Sequence, residues 1–122
     1  MARFVIRSVA TGVKFDLKAP NGQGILTSGV YACSAACRKG IASVVRNAAA
    51  AAVEDRTDGE TPRRPNPKFE LYRDRAGEYR FRLRARNGEI VGASDGYAAK
   101  AGCLEGIENV KKYAPRAEIA EE

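Results

Sequence analysis

Tyr79-Arg80-Phe81-Arg82-Leu83-Arg84-Ala85-Arg86-Asn87-Gly88 alternates ring or aliphatic side chains with arginines, then breaks at Asn-Gly. Period-two alternation is the signature of a strand with one face buried and one open. Asn-Gly between two such runs predicts a two-residue type I′ hairpin, in which both central residues need positive φ. Ile90-Val91-Gly92-Ala93-Ser94 reads as the returning strand. From about Lys100 the pattern changes period: Cys103, Leu104, Ile107, Val110 and Ala114 line one face of a helix. Pro115 stops that helix, because it has no N–H and its ring clashes with the preceding turn. Upstream, Lys68-Phe69-Glu70-Leu71-Tyr72 is a further alternating strand, turned at Asp74 to Gly77. Downstream, Ala117 to Ala120 reads as a short last strand and Glu121-Glu122 as a free acidic end.

The same plan lies 66 residues earlier, without gaps from Val13 onward. Phe15 matches Phe81, Leu17 matches Leu83, and Asn21-Gly22 matches Asn87-Gly88. Ser28, Tyr31, Cys37, Gly40-Ile41 and Val44 match Ser94, Tyr97, Cys103, Gly106-Ile107 and Val110. Phe4 matches Phe69 after a one-residue slip in the first turn. The chain is therefore a tandem duplication of a β-β-β-α-β unit: residues 1–55, a linker at 56–67, and residues 68–122. The linker is charged and proline-rich, which predicts an extended, mobile connection. One such unit is too small to bury both its sheet face and its helix face. The expected fold is α+β: one shared antiparallel sheet with two helices packed on one face, a monomer that is internally a pseudo-dimer.

Composition narrows the chemistry. The 122-residue chain carries a net charge of +6 and no histidine. That removes Ser-His-Asp and Cys-His catalysis and every histidine metal site. Three cysteines are too few for a disulfide framework. No apolar run is long enough to span a bilayer, and the N-terminus lacks a signal-peptide core, so a cytoplasmic location without membrane contact is expected. No dinucleotide or P-loop glycine pattern occurs. The expectation is no enzyme, no cofactor and no metal.

Gly77-Glu78-Tyr79-Arg80-Phe81-Arg82-Leu83, Asn87-Gly88-Glu89-Ile90-Val91, Ser94-Asp95-Gly96-Tyr97 and Gly106 to Lys112 together resemble the YegP-like family of small uncharacterised proteins. The resemblance covers residues 68–120 and, more weakly, 3–55. It implies a strand-strand-strand-helix-strand unit whose last strand crosses to the partner unit. It brings no catalytic residues. Two departures stand out: Ala99 sits where the family often has a capping serine or threonine, and Val13-Lys14 replaces the Tyr-Arg pair in the first copy.

Alternation places Arg80, Arg82 and Arg84 on one sheet face, with Tyr72 beside them and Lys14 and Lys18 at the matching places of the first copy. A basic face with an aromatic suits a phosphate backbone. The competing reading is a solvated face on which Lys68 and Glu70 pair with the arginines. Cys37 and Cys103 fall on the apolar helix face and read as core; Cys33 lies one turn from Cys37, so a redox or single-metal pair is the minor reading. Gly40 and Gly106, mid-helix, predict close approach of another element. The leading functional expectation is a non-enzymatic binding or interaction module contacting an anionic partner, nucleic acid or an acidic protein. The alternative is a structural or stress-associated protein acting through self-assembly or protein partners at its sheet edges.

Overall fold

Phe4, Phe15, Phe69 and Phe81 are at most 1% exposed and belong to one continuous core between a sheet and two helices. The computed structural model describes residues 1–59 and 62–122. In chain order the elements are β1 (Arg3–Val9), β2 (Gly12–Lys18), β3 (Gly24–Thr27), α1 (Ser34–Ala50) and β4 (Ala52–Asp55). They are followed by β5 (Lys68–Arg73), β6 (Tyr79–Arg84), β7 (Ile90–Ala93), α2 (Lys100–Tyr113), a 3-10 turn (Ala114–Arg116) and β8 (Glu118–Glu121). The strands form one sheet in the order β4-β5-β6-β7-β3-β2-β1-β8. The alternation sets its two faces: Phe15, Leu17, Phe81 and Leu83 turn inward at 0% exposure, and the charged residues between them face out.

The last strand of each unit is exchanged. β4 pairs with β5 of the second unit and β8 with β1 of the first. Both outer pairs are parallel, so the sheet is mixed and the expectation of a wholly antiparallel sheet is corrected. The reason lies in the connections. A tight turn can only reverse the chain, whereas a parallel neighbour needs a crossover of about a dozen residues. Residues 56–67 are that crossover, which accounts for the length of the linker. Its two ends are tied down: Arg56 N–H donates to the Leu71 carbonyl at 2.8 Å and Arg64 N–H to Glu54 Oε1 at 2.7 Å. Glu60 and Thr61, also expected in the linker, lie outside the described residues.

The exchange also serves the helix starts. Neither Cys33 nor Ala99 caps its helix with a side chain. Glu121 takes the Ser34 hydroxyl at 3.1 Å and the Arg38 guanidinium at 2.6 Å, and Asp55 pairs with Lys100 at the equivalent place. A carboxylate there favours the positive end of the helix dipole. Glu121, expected in a free acidic tail, is thus a strand residue holding the first turn of α1.

The Asn-Gly hairpins depart from the expected type I′ turn. Gly22 and Gly88 have φ of 87° and 88°, but neither Asn21 nor Asn87 has positive φ. Gly22 N–H donates to the Ala19 carbonyl and Ala19 N–H to the Gln23 carbonyl, with the same pair at Ala85, Gly88 and Glu89. This is a three-residue loop, a turn followed by a left-handed glycine bulge. Asn21 and Asn87 serve it through their side chains, accepting the N–H two residues on at 2.9 and 3.0 Å.

On the helices, Cys37, Ile41 and Val44 match Cys103, Ile107 and Val110, all buried. Leu104, read as core, is 38% exposed at the margin of the apolar stripe. A β-carbon on Gly40 would run into the Tyr31 hydroxyl, and one on Gly106 into that of Tyr97. Those rings stack on Phe15 and Phe81 at 6.2 and 6.5 Å between centroids. The close approach predicted from the two glycines is therefore to the tyrosines beneath the helices.

Strand exchange has a testable consequence. Trypsin is expected to cut first at the exposed Arg63-Arg64 bond, and the two fragments are expected to co-elute on size exclusion. Each fragment contributes an outer strand to the other's half of the sheet. Separation of the fragments without denaturant would contradict the interlock.

Candidate functional site

The open face of the sheet divides into two halves of different chemistry. In the half built on β4, β5 and β6, the Glu70 carboxylate is buried beneath cations. Arg82 Nε and Arg84 Nε each lie 2.6 Å from Glu70 Oε1, Arg56 reaches Oε2 at 3.1 Å, and Lys68 stands 3.6 Å away. Beside it Glu54, from the exchanged strand, takes Lys68 at 3.0 Å and the Arg64 N–H. Burial pushes the Glu70 carboxyl up, but the hydrogen bonds and charges of Arg82 and Arg84 outweigh it and bring it down to about 2. Burial acts the same way on Glu54, and the Arg64 N–H and Lys68 hold it below the usual carboxylate range.

The arginine ladder is thus brought together as the alternation predicted, and it is internally paired. Arg80 donates through Nε to Asp74 at 2.6 Å and through Nη1 to the Ser94 carbonyl. Arg84 also donates to the Gly88 carbonyl at 2.8 Å, bracing the hairpin. Tyr72 is on the same face, but its ring is covered by the Arg82 guanidinium at 4.8 Å. That contact occupies one face of the ring expected to stack on a base.

The other half differs at the matching positions. Val5 stands where Glu70 does, Ala120 where Glu54 does, and Asp16 where Arg82 does. Asp16 accepts Arg7 Nε and the Thr27 hydroxyl, both at 2.6 Å. Burial raises the Asp16 carboxyl, and those two hydrogen bonds bring it below its ordinary value. Lys14 and Lys18 flank Asp16, and with Arg3 opposite Lys18 they form no ion pair among the described residues. A cavity of about 350 Å³ opens at this place, running from Arg7 and Lys14 across Thr27 to Ala93 and Asp95 at the seam of the two units. The sequence pointed to the arginines as the stronger anion site; in the folded chain the freer cations are those of the first half.

Cys37 and Cys103 are buried in the core, and burial pushes the Cys103 thiol up to about 11. Cys33 is exposed, and it and Cys37 are both free thiols. Among the described residues no group of three or more metal-ligating side chains converges, and no helix is long and apolar enough to cross a membrane.

Comparison with known proteins bears on these observations. A family model described as a domain of unknown function, DUF1508, matches twice, at residues 9–55 and 74–121. A UPF0339 protein of Pseudomonas aeruginosa is 33% identical over 122 residues, covering 99% of this chain and 97% of the relative. A UPF0339 protein of Methanosarcina acetivorans is 58% identical over 52 residues, 43% of this chain but 90% of the relative, so that protein has the length of one unit. Among solved structures, the E. coli protein of unknown function yegP superposes with a TM-score of 0.80 at 28% identity, covering 99% of this chain and 92% of that one. A UPF0339 protein of Shewanella oneidensis gives 0.77 at 25% identity, covering 98% and 90%.

Proposed function

The chain belongs to the DUF1508 family of domains of unknown function, and from that premise we propose a non-catalytic module that binds the phosphate backbone of a single-stranded nucleic acid on its open sheet face. The observation that carries this reading is the group of unpaired cations. Arg3, Lys14 and Lys18 stand together on the β1–β2 half without ion-pair partners among the described residues. Arg82 and Arg84 supply a second, weaker part of the surface: their Nε groups are held by Glu70 and Arg84 Nη1 by the Gly88 carbonyl, which leaves only the remaining terminal N–H groups to donate to a partner. Arg80, tied to Asp74, adds field more than contact.

The mechanism is electrostatic. Cations on alternate residues of a strand stand roughly 7 Å apart, close to the spacing of successive phosphates in an extended strand. Binding would release counterions and read little sequence. For three phosphates on a single strand, affinity should fall about twentyfold between roughly 50 and 200 mM salt.

Fluorescence anisotropy with labelled single-stranded DNA and RNA pools tests this. The double variant Lys14→Glu and Lys18→Glu is expected to weaken binding by roughly tenfold or more and to flatten the salt slope. Arg82→Gln is expected to do less. Absence of binding at low salt, or binding indifferent to Lys14 and Lys18, would remove the nucleic-acid reading.

A further inference from the structure

The duplication builds two equivalent clefts, each between the second half of one unit's helix and an Asn-Gly turn of the other unit. The first lies between α1 and the β6–β7 turn and measures about 430 Å³. Its polar lining is Ser43, Arg46, Asn47, Arg86 and Asn87. The second lies between α2 and the β2–β3 turn and has Asn109, Lys112, Tyr113, Pro20 and Asn21 at the matching positions. Glu105 joins its lining. The first cleft is therefore lined by two cations and no carboxylate, the second by one of each.

The first cleft is also built to donate. Asn47 is 8% exposed, and its amide donates to the Ser43 carbonyl at 2.8 Å and to the Ser43 hydroxyl oxygen at 3.0 Å. That oxygen accepts here, so the hydroxyl proton is left to donate into the cleft. Asn47 Oδ1 accepts the Arg86 N–H at 3.2 Å, which ties the turn of the second unit to the helix of the first. Asn87 Oδ1 accepts the Glu89 N–H at 3.0 Å, which leaves the Asn87 amide nitrogen as a donor. Arg46 and Arg86 are exposed, and neither guanidinium enters an ion pair among the described residues. The carbonyl end of α1 lies at this cleft and opposes an anion, but more weakly than two guanidiniums in direct contact attract one.

We propose that this cleft binds a small phosphate monoester, such as a sugar phosphate, between Arg46 and Arg86. A monoester carries a charge of about −1.5 to −2 near pH 7 and three strong acceptor oxygens. Two guanidiniums match that charge in planar, paired geometry, and the Ser43 hydroxyl and Asn87 amide remain for the other lone pairs. The carbon part of the ligand lies against Ala50, Pro67 and Ala85, which complete the lining. A phosphodiester has one charge and two free oxygens, so this site is chemically distinct from the open sheet face and does not depend on nucleic-acid binding there.

The test titrates ribose 5-phosphate into the full chain, isotopically labelled, with ribose and dimethyl phosphate as controls at equal ionic strength. Ribose 5-phosphate is expected to shift the amides of Ser43, Asn47, Arg86 and Asn87 and to bind about tenfold more tightly than dimethyl phosphate. Ribose is expected to leave those amides unmoved. Arg46→Gln and Arg86→Gln, both at exposed positions, should each weaken binding by about tenfold or more, since each removes a charge-assisted hydrogen bond. Lys112→Gln, in the matching cleft, should leave it unchanged. Melting curves without ligand should be the same for all three variants. Equal binding of ribose 5-phosphate and dimethyl phosphate, shifts centred on Lys14 and Lys18, full affinity in both arginine variants, or an equal loss in Lys112→Gln would each overturn the proposal.

Discussion

Ile107→Ala is expected to lower the unfolding free energy by about 2–5 kcal/mol, the range for removing a large aliphatic side chain from a packed core. Ile107 is 0% exposed and lies in the cluster that also holds Phe69, Phe81 and Val110. The helix around it cannot close over the gap. Gly106 already brings α2 down onto Tyr97 and Phe81, where an added β-carbon would come within 3.1 Å of the Phe81 ring. The cavity term should therefore persist, which puts the loss toward the upper part of the range. Because the core is continuous across both units, the whole molecule should melt earlier, in one transition, by about 10 °C or more. Leu104→Ala, one turn away, should cost less than about 1 kcal/mol, since Leu104 is 38% exposed. Chemical denaturation of the two variants checks both values. A loss below about 1 kcal/mol at Ile107, or equal losses at the two positions, would place the apolar stripe of α2 on the wrong face.

That stripe was legible because its cause is local. Periods of two and near four are written in residues a few places apart, so the strands, both helices and the duplication could be read directly. What escaped the sequence depends on how distant segments meet. Glu54 lies in Ala52-Val53-Glu54-Asp55, which reads as one charged residue among others. Only strand exchange sets it beside Lys68 and Glu70. The same exchange turns Glu121 from a tail into the anchor of α1. The arginine ladder was located correctly on its face, and its pairing with Glu70 was a stated alternative. The full set of partners was not legible, because Glu70 is also shared with Arg56, on the far side of the crossover. The turn was misread for a different reason. Asn-Gly suits both a two-residue loop and the bulged three-residue loop, and the choice rests on the register of strands that pair further along.

Glu70→Gln should cost about 2–3 kcal/mol, although it alters no side-chain volume to speak of. Breaking a buried ion pair by neutralising one partner costs about 3–5 kcal/mol when the other charge is left stranded. Here Arg82 and Arg84 are 28% exposed and can turn partly toward water, which lowers the expected figure. The pH dependence follows from the same geometry. The folded carboxyl titrates at about 2, below its ordinary value of 4.5. A depressed carboxylate stabilises the fold fully above the unfolded value, and that contribution is lost as pH falls through the folded one. Glu70 should therefore give a stability that is flat above about pH 5 and declines between about 4.5 and 2, by at most about 3.5 kcal/mol at roughly 1.4 kcal/mol per unit. In Glu70→Gln this part of the acid slope should vanish while the rest, from Asp16, Glu54 and the other paired carboxylates, remains. Urea titrations at neutral pH and near pH 3 measure both quantities. If the variant kept the full acid slope, Glu70 would not be the carboxylate that Arg82 and Arg84 hold. The cycle with Arg84→Gln then separates the pair from its surroundings: coupling near zero would mean that the arginine is free to leave Glu70, and so free to meet an incoming phosphate.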